Sequence, residues 1–395
     1  MKSNLILVFI LITFYDSIGQ TVSRTMKRLP DTGQKNSYTN TFGEDNDYSF
    51  NVPFYIKYNN GTTLDTVTGL LWQTIDGGEM SIENARLYCD TLTLGGYTDW
   101  RLPNPHEAFS ILNHQNNNPA VDVNFFTKTA AEYWWTSLNQ SNDNSKIWCT
   151  NAGGGIGNHP KAETISAGGT KKFHVRAVRD LTPPTVINQR YTDNGDGSIT
   201  DHLTNLVWQK IPNASSMTWE DALVYAEGLN FTNKTDWRLP NIKELQSLND
   251  ESSLSPSVYS LFSSLGIKKY WSSTSLPNQT TKAWYWETQF GITTYDVKTN
   301  LNYVLCVRNN YPSIGLKETT KQDNAMVVYP NPFQSFIGVK AAEGDRHFKL
   351  CSALGVLIYK GVNIEEQDFS YLPKGIYILQ IIGINTESIR LAKTE

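Results

Sequence analysis

Six histidines, four cysteines and a twice-used Asp-Trp-Arg element are the residues of this 395-residue chain whose types could do chemistry. His106, His114, His159, His174, His202 and His347 show no HExxH and no metal-ligand spacing, and neither a GxSxG elbow nor a Walker loop is present. No catalytic group, cofactor or metal is therefore expected. DWRLPN stands at Asp99–Asn104 and again at Asp236–Asn241, repeating an acid beside a base. Its plainer reading is structural: the Asp pairs with an Arg or caps a turn, the Trp is core, and Pro-Asn launches a helix. Asp193–Gly197 resembles a calcium loop in composition, but its third position is Gly195, so a tight turn is expected instead. Leu29–Gly33 spells a sortase signal without the apolar span and basic tail that follow one, and is read as coincidence.

The cysteines are Cys89, Cys149, Cys306 and Cys351. Cys89 falls where a second copy of the same pattern has Ala226, and Cys306 where the first copy has Ala177. Each copy thus carries one half of a helix-to-last-strand bridge. Within the first copy Cys149 is the remaining mate for Cys89; the alternative is four reduced, buried thiols acting as small hydrophobes.

The elements that position these residues come in two sets. Thr68–Gln73 (TGLLWQ) returns as Thr204–Gln209 (TNLVWQ), Trp134–Ser137 as Tyr270–Ser273, the Trp148 motif as the Trp284 motif, and Val175–Arg179 as Val304–Arg308. Collinear matches with one local length change mean duplication. The extra residues of the first copy lie in its glycine-rich stretch, Gly153–Gly169, the place for any functional difference between the copies. Ser81 and Thr218 cap helices, and Trp219, Ala222, Leu223 and Ala226 share one helical face. Asn104 with Glu107, and Asn241 with Glu244, have capping-box spacing. Short β-type runs follow, so each copy reads as two helices on a small antiparallel sheet, an α+β fold. Asp180–Gln189, with Pro183 and Pro184, reads as a stiff connector.

All eleven tryptophans lie between Trp72 and Trp286, and four pairs are repeat-equivalent. Paired tryptophans are explained as core. The unpaired Trp134 and Trp286 are the candidates for a ligand-binding platform.

A net charge of −4 and a pI near 5.9 oppose general attraction to nucleic acid. Lys2 followed by the apolar run Leu5–Tyr15 reads as a cleaved signal over 1–19, too short to span a bilayer. No later segment is apolar enough for a membrane span.

The ordered set TGLxWQ, DWRLPNxxEL, YWSST and YVxCVR resembles the Lcl C-terminal domain family, over 51–180 and 189–311, with 20–50 as a lead-in. That resemblance implies C-type-lectin-like domains, adhesion, and recognition of a glycan or a surface protein. A helix-to-last-strand disulfide is common in such domains, and Ala177 and Ala226 remove one partner in each copy. The calcium–sugar motifs of true C-type lectins are missing, and Lys171-Lys172 and Lys268-Lys269 are the only dibasic pairs in the repeats. After a linker at 312–324, VYPNPF at Val328–Phe333 and the alternating runs of 325–395 resemble a type IX (Por) secretion C-terminal sorting domain. That implies a β-sandwich, a partnership with the type IX machinery, and a secreted or outer-membrane-surface location. The expectation is a non-enzymatic binding or adhesion protein, against a structural surface component or an enzyme on a lectin-like scaffold.

Overall fold

The structure, a computed structural model, describes residues 21–48, 50–162, 173–310, 327–340, 347–352, 357–382 and 387–394. The signal segment 1–19, the linker 312–324 and residues 163–169 of the glycine-rich stretch lie outside the described residues. Among the described residues the chain is mostly β, with four short α-helices, so sheet outweighs the balance expected of an α+β fold. The helices are α1 (Ile82–Thr91), α2 (Pro105–Ser110), α3 (Trp219–Glu227) and α4 (Ile242–Ser247).

Each repeat closes by bringing its last strand back beside its third. In the first, Tyr55–Lys57, Thr62–Asp65, Leu70–Gln73 and Val178–Asp180 form an antiparallel sheet in that order. In the second, Tyr191–Asp193, Ser198–Asp201, Leu206–Gln209 and Val307–Asn309 do the same. The central LLWQ and LVWQ strands are buried throughout, as near-continuous apolar runs flanked on both sides must be. Trp72 and Trp208 are fully buried there. A second sheet follows the helices: Tyr133–Gln140, Asp143–Asn151 and Ile156–Pro160, with Phe173–His174 added in parallel, against Lys269–Ser275, Lys282–Glu287 and Ile292–Val297.

Ser81 and Thr218 accept hydrogen bonds from the third helical N–H of α1 and α3. Asn104/Glu107 and Asn241/Glu244 form reciprocal capping boxes on α2 and α4. The face of α3 carrying Trp219, Ala222, Leu223 and Ala226 is fully buried, as its spacing requires.

The two copies share a core. One apolar cluster takes Trp72, Phe109, Leu112 and Trp148 from the first and Trp208, Leu245, Trp284 and Trp286 from the second, with Met26 and Leu29 of the lead-in packed against it. α2 faces α4 across the seam. Lys243 of α4, 1% exposed, donates from Nζ to the Asp31 carbonyl (2.8 Å) and the Ser110 carbonyl (2.7 Å). At its repeat-equivalent position His106 meets Glu251 at 3.0 Å. The connector is not a free spacer: Thr185–Ile187 pairs antiparallel with Val22–Arg24 of the lead-in, which satisfies its backbone groups.

The described glycines of the extra stretch also serve the seam. Gly154, with φ +102°, lets the hairpin lie against the second repeat, and a Cβ there would sit 3.2 Å from Ala120 and 3.3 Å from Trp284. The Ile156 N–H donates to Thr293 Oγ1 at 3.0 Å. The C-terminal portion has its own core: Phe333 and Ile337 near a two-stranded hairpin pack with Phe348, Leu350 and Leu379 of a four-stranded sheet.

Replacing Gly154 by Ala forces a β-carbon into both the left-handed conformation and the seam. Gly154→Ala is expected to lose at least ~1 kcal/mol in urea denaturation. An unchanged midpoint would show that the hairpin does not bear on Trp284.

Candidate functional site

The DWR elements are consumed by structure in both copies. Arg101 forks onto both oxygens of Glu107 (2.7 and 2.8 Å) and reaches Asp180; Arg238 forks onto Glu244 (2.6 and 2.6 Å) and reaches Asn309. A bidentate pair of this kind locks the capping-box Glu to the last strand. Asp99 pairs with Arg179 and Asp236 with Arg308. Trp100 and Trp237 are buried, with indole N–H groups donating to the carbonyls of Leu94 and Phe231.

The tryptophans proposed as a platform are not one. Trp134 is 7% exposed and donates to Asp76 Oδ2 at 3.1 Å, while Trp286 is fully buried in the shared core. Neither offers a ring face to a sugar. Trp134 is covered within its own repeat, by Asp76, Ala131 and Ala152, and Trp286 by the core that the two repeats share. Cys89 and Cys149 are buried in one apolar cluster with Ala177, but Cys89 is an unbridged thiol, so the Cys89–Cys149 bridge is not formed. Burial pushes the Cys89 thiol up to about 12 and raises Cys306 as well.

The histidines do not converge. His114 is buried in the seam, its Nε2 3.0 Å from the Gly154 carbonyl, and burial with the nearby Lys243 pulls its pKa down to about 3. His174 Nδ1 lies 2.9 Å from Asp76 Oδ1, and Asp76 also accepts from Thr129 at 2.6 Å. Burial alone would raise the Asp76 carboxyl, but Thr129, His174, Arg176 and Trp134 together hold it below its ordinary range. Among the described residues no three His, Cys, Asp or Glu side chains are grouped to hold a metal.

An open polar cleft of about 240 Å³ lies where the lead-in crosses the loop after α2, lined by Lys35, Asn113, Gln115, Asn116, Asp122, Val123 and Asn124. Gln115 builds it: Oε1 accepts from the N–H groups of Lys35 (2.8 Å) and Asn36 (3.0 Å), and Nε2 donates to the Tyr38 hydroxyl (2.8 Å). Asn116 donates to the Val121 carbonyl (2.8 Å), and Asp122 Oδ1 accepts from both the backbone and side-chain nitrogens of Asn124 (3.0 Å each). Gly33, with φ +84°, is required because a Cβ there would meet the Asn113 side chain at 3.0 Å. Lys35, Asn116, Val123 and Asn124 remain exposed. Such a wall offers amide donors and acceptors, one cation and one anion, and can bind a polyhydroxylated ligand. The asparagine run 116–118 was its only trace in the sequence, and the lead-in gave no sign of being the other wall.

The Lcl C-terminal domain family matches residues 61–179 and 197–308, and the secretion system C-terminal sorting domain family matches 327–391. No curated protein matches the sequence. Among solved structures, one from a study of PorZ, described as an essential bacterial surface component of the type-IX secretion system of Porphyromonas gingivalis, is similar at 12% identity and a TM-score of 0.17. The match covers 86% of this chain and 38% of that one, a superposition too loose to bear on the fold.

With both thiols buried and raised, Cys89 and Cys306 should resist iodoacetamide at pH 8 in the native protein and react only on unfolding. Rapid native labelling of either, read by peptide mass, would contradict this placement.

Proposed function

The chain belongs to the Lcl C-terminal domain family, and from that premise we propose that it binds a neutral glycan at the cell surface through the cleft beside Gln115. Its sorting domain makes it a type IX secretion-associated protein, secreted or held at the cell surface. No helix among the described residues is long and apolar enough to cross a membrane. Removal of a signal near residue 19 and processing within 312–324 belong to the same proposal.

The cleft carries this reading. Neutral sugar hydroxyls both donate and accept, and side-chain amides meet both needs without the desolvation cost of a full charge. Val123, 47% exposed, adds an apolar contact for the C–H face of a ring. The volume suits about one or two sugar rings, just below the usual small-molecule range. A polyanion would call for clustered cations, and the cleft has only Lys35. Two short helices against a small antiparallel sheet in each copy support a lectin-like description.

The test is a glycan array followed by titration calorimetry, with wild type against Lys35→Ala/Asn124→Ala. Saturable binding weakened about tenfold or more, equivalent to ~1.4 kcal/mol, with melting temperature unchanged, is expected. Binding indifferent to the double variant would move the site elsewhere. Binding to nothing, with self-assembly in solution, would favour a structural surface component.

A further inference from the structure

The wall of the cleft that carries Lys35 is a strap, residues 31–48, closed at its neck by the Asp31 N–H to the Asn51 carbonyl (3.1 Å) and by Asn51 Nδ2 to the Leu29 carbonyl (3.0 Å). A loop tied at its neck can lift without unravelling what flanks it. Beside the Gln115 bonds and the His114 N–H to the Thr32 carbonyl (2.9 Å), a set of buried carboxylates holds it down. Asp45 Oδ2 accepts from Thr32 (2.7 Å) and, across the seam, from Thr274 (2.6 Å). Glu44 accepts from Gln34 (2.8 Å), Ser37 (2.7 Å) and the Tyr38 N–H (2.6 Å), and from Ser275 of the second repeat (2.5 Å). Asp31 accepts from the Thr32 N–H at 2.6 Å. Each of the three is less than one-tenth exposed, and the partners named are neutral hydroxyls, amides and backbone N–H groups.

Acid outnumbers base around them. Asp31, Glu44 and Asp45 of the strap and Glu244 of α4 face Arg238 and Lys243, with Lys298 at the edge near Glu44. Arg238 is already committed to Glu244, and Lys243 to two carbonyls. Glu227, partly buried, and Asp47, exposed, add two more acids beside Tyr48. Seating the strap therefore buries more negative charge than the seam neutralises.

We propose that the strap is a proton-set clamp on the cleft, seated while the buried Asp31 and Asp45 carboxyls are not both ionised and loosened when both are. Resting on the reading of the cleft as the binding site, the clamp gives ligand capture in acid and release toward neutral pH. Burial, the largest influence, lifts Asp45 to about 6 and Asp31 well above the carboxylate range. A raised carboxylate stabilises the seated strap fully below its ordinary value near ~4, and that stability is lost as pH rises through about 6. His114 titrates in the opposite sense; its backbone N–H donates to the strap's Thr32 carbonyl at 2.9 Å, but its ring is held by Gly154, Phe109 and Trp284 and, pulled down to about 3, titrates below this window. Lys243, pulled down to about 8, acts above this window.

Hydrogen exchange of the full chain at pH 5 and pH 7.5, corrected for intrinsic rates, reads strap opening without any ligand. Opening of 31–48 should rise about tenfold between the two. In Asp45→Asn, which mimics the protonated group, the strap should stay protected at pH 7.5; Asp31→Asn serves if that variant fails to fold. Equal wild-type protection at both pH values, or an undiminished pH dependence in the Asn variant, overturns the clamp. Glycan affinity should fall in parallel with opening. If no glycan binds at any pH, the cleft reading fails, while the exchange experiment still decides the clamp.

Discussion

The arrangement depends on burying Lys243 where two repeats and a lead-in meet. An ammonium group removed from water is costly unless its protons are matched, and here it donates to carbonyls from the lead-in (Asp31) and from the end of α2 (Ser110). Those carbonyls stay in place only if α2 and α4 face each other and the lead-in lies across them. Lys243 is thus satisfied only when all three parts are assembled, which makes the seam all-or-none rather than gradual.

Duplication produced the two faces, and divergence made them complementary. His106 and Lys243 occupy equivalent positions, as do His114 and Glu251, yet His106 meets Glu251 as a pair while Lys243 turns to backbone carbonyls beside a neutral His114. Thr274 and Ser275 of the second repeat hold the lead-in carboxylates. The lead-in consequently lies over the second repeat's strand while completing the first repeat's cleft. A site of this kind belongs to neither repeat alone.

Local order was legible in the sequence because it rests on local rules: Ser81, Thr218 and both capping boxes lie where their spacing required, and the α3 face is buried as its periodicity required. The repeat-equivalent tryptophans are core for the same reason. What could not be read was what covers each repeat. Trp134 and Trp286 looked available because they lack a repeat-equivalent partner; Trp134 is instead tied to Asp76 inside its own repeat and Trp286 lies in the shared core. The glycine-rich stretch marked only a difference between the copies, and its described part is shaped for close approach to Trp284. The cleft was missed because one wall comes from a segment of unremarkable polar composition, whose role appears only through contacts such as Gln115 with Lys35, 80 residues apart.

The central claim is that both repeats and the lead-in fold as one cooperative unit around a shared core. Scanning calorimetry of the full chain, comparing wild type with Lys243→Ala, tests it most directly. The account requires a single transition for the two repeats whose van't Hoff and calorimetric enthalpies agree, shifted down as a whole by the substitution, apart from any transition of the sorting domain. Two resolved repeat transitions, only one of them displaced by Lys243→Ala, would contradict it.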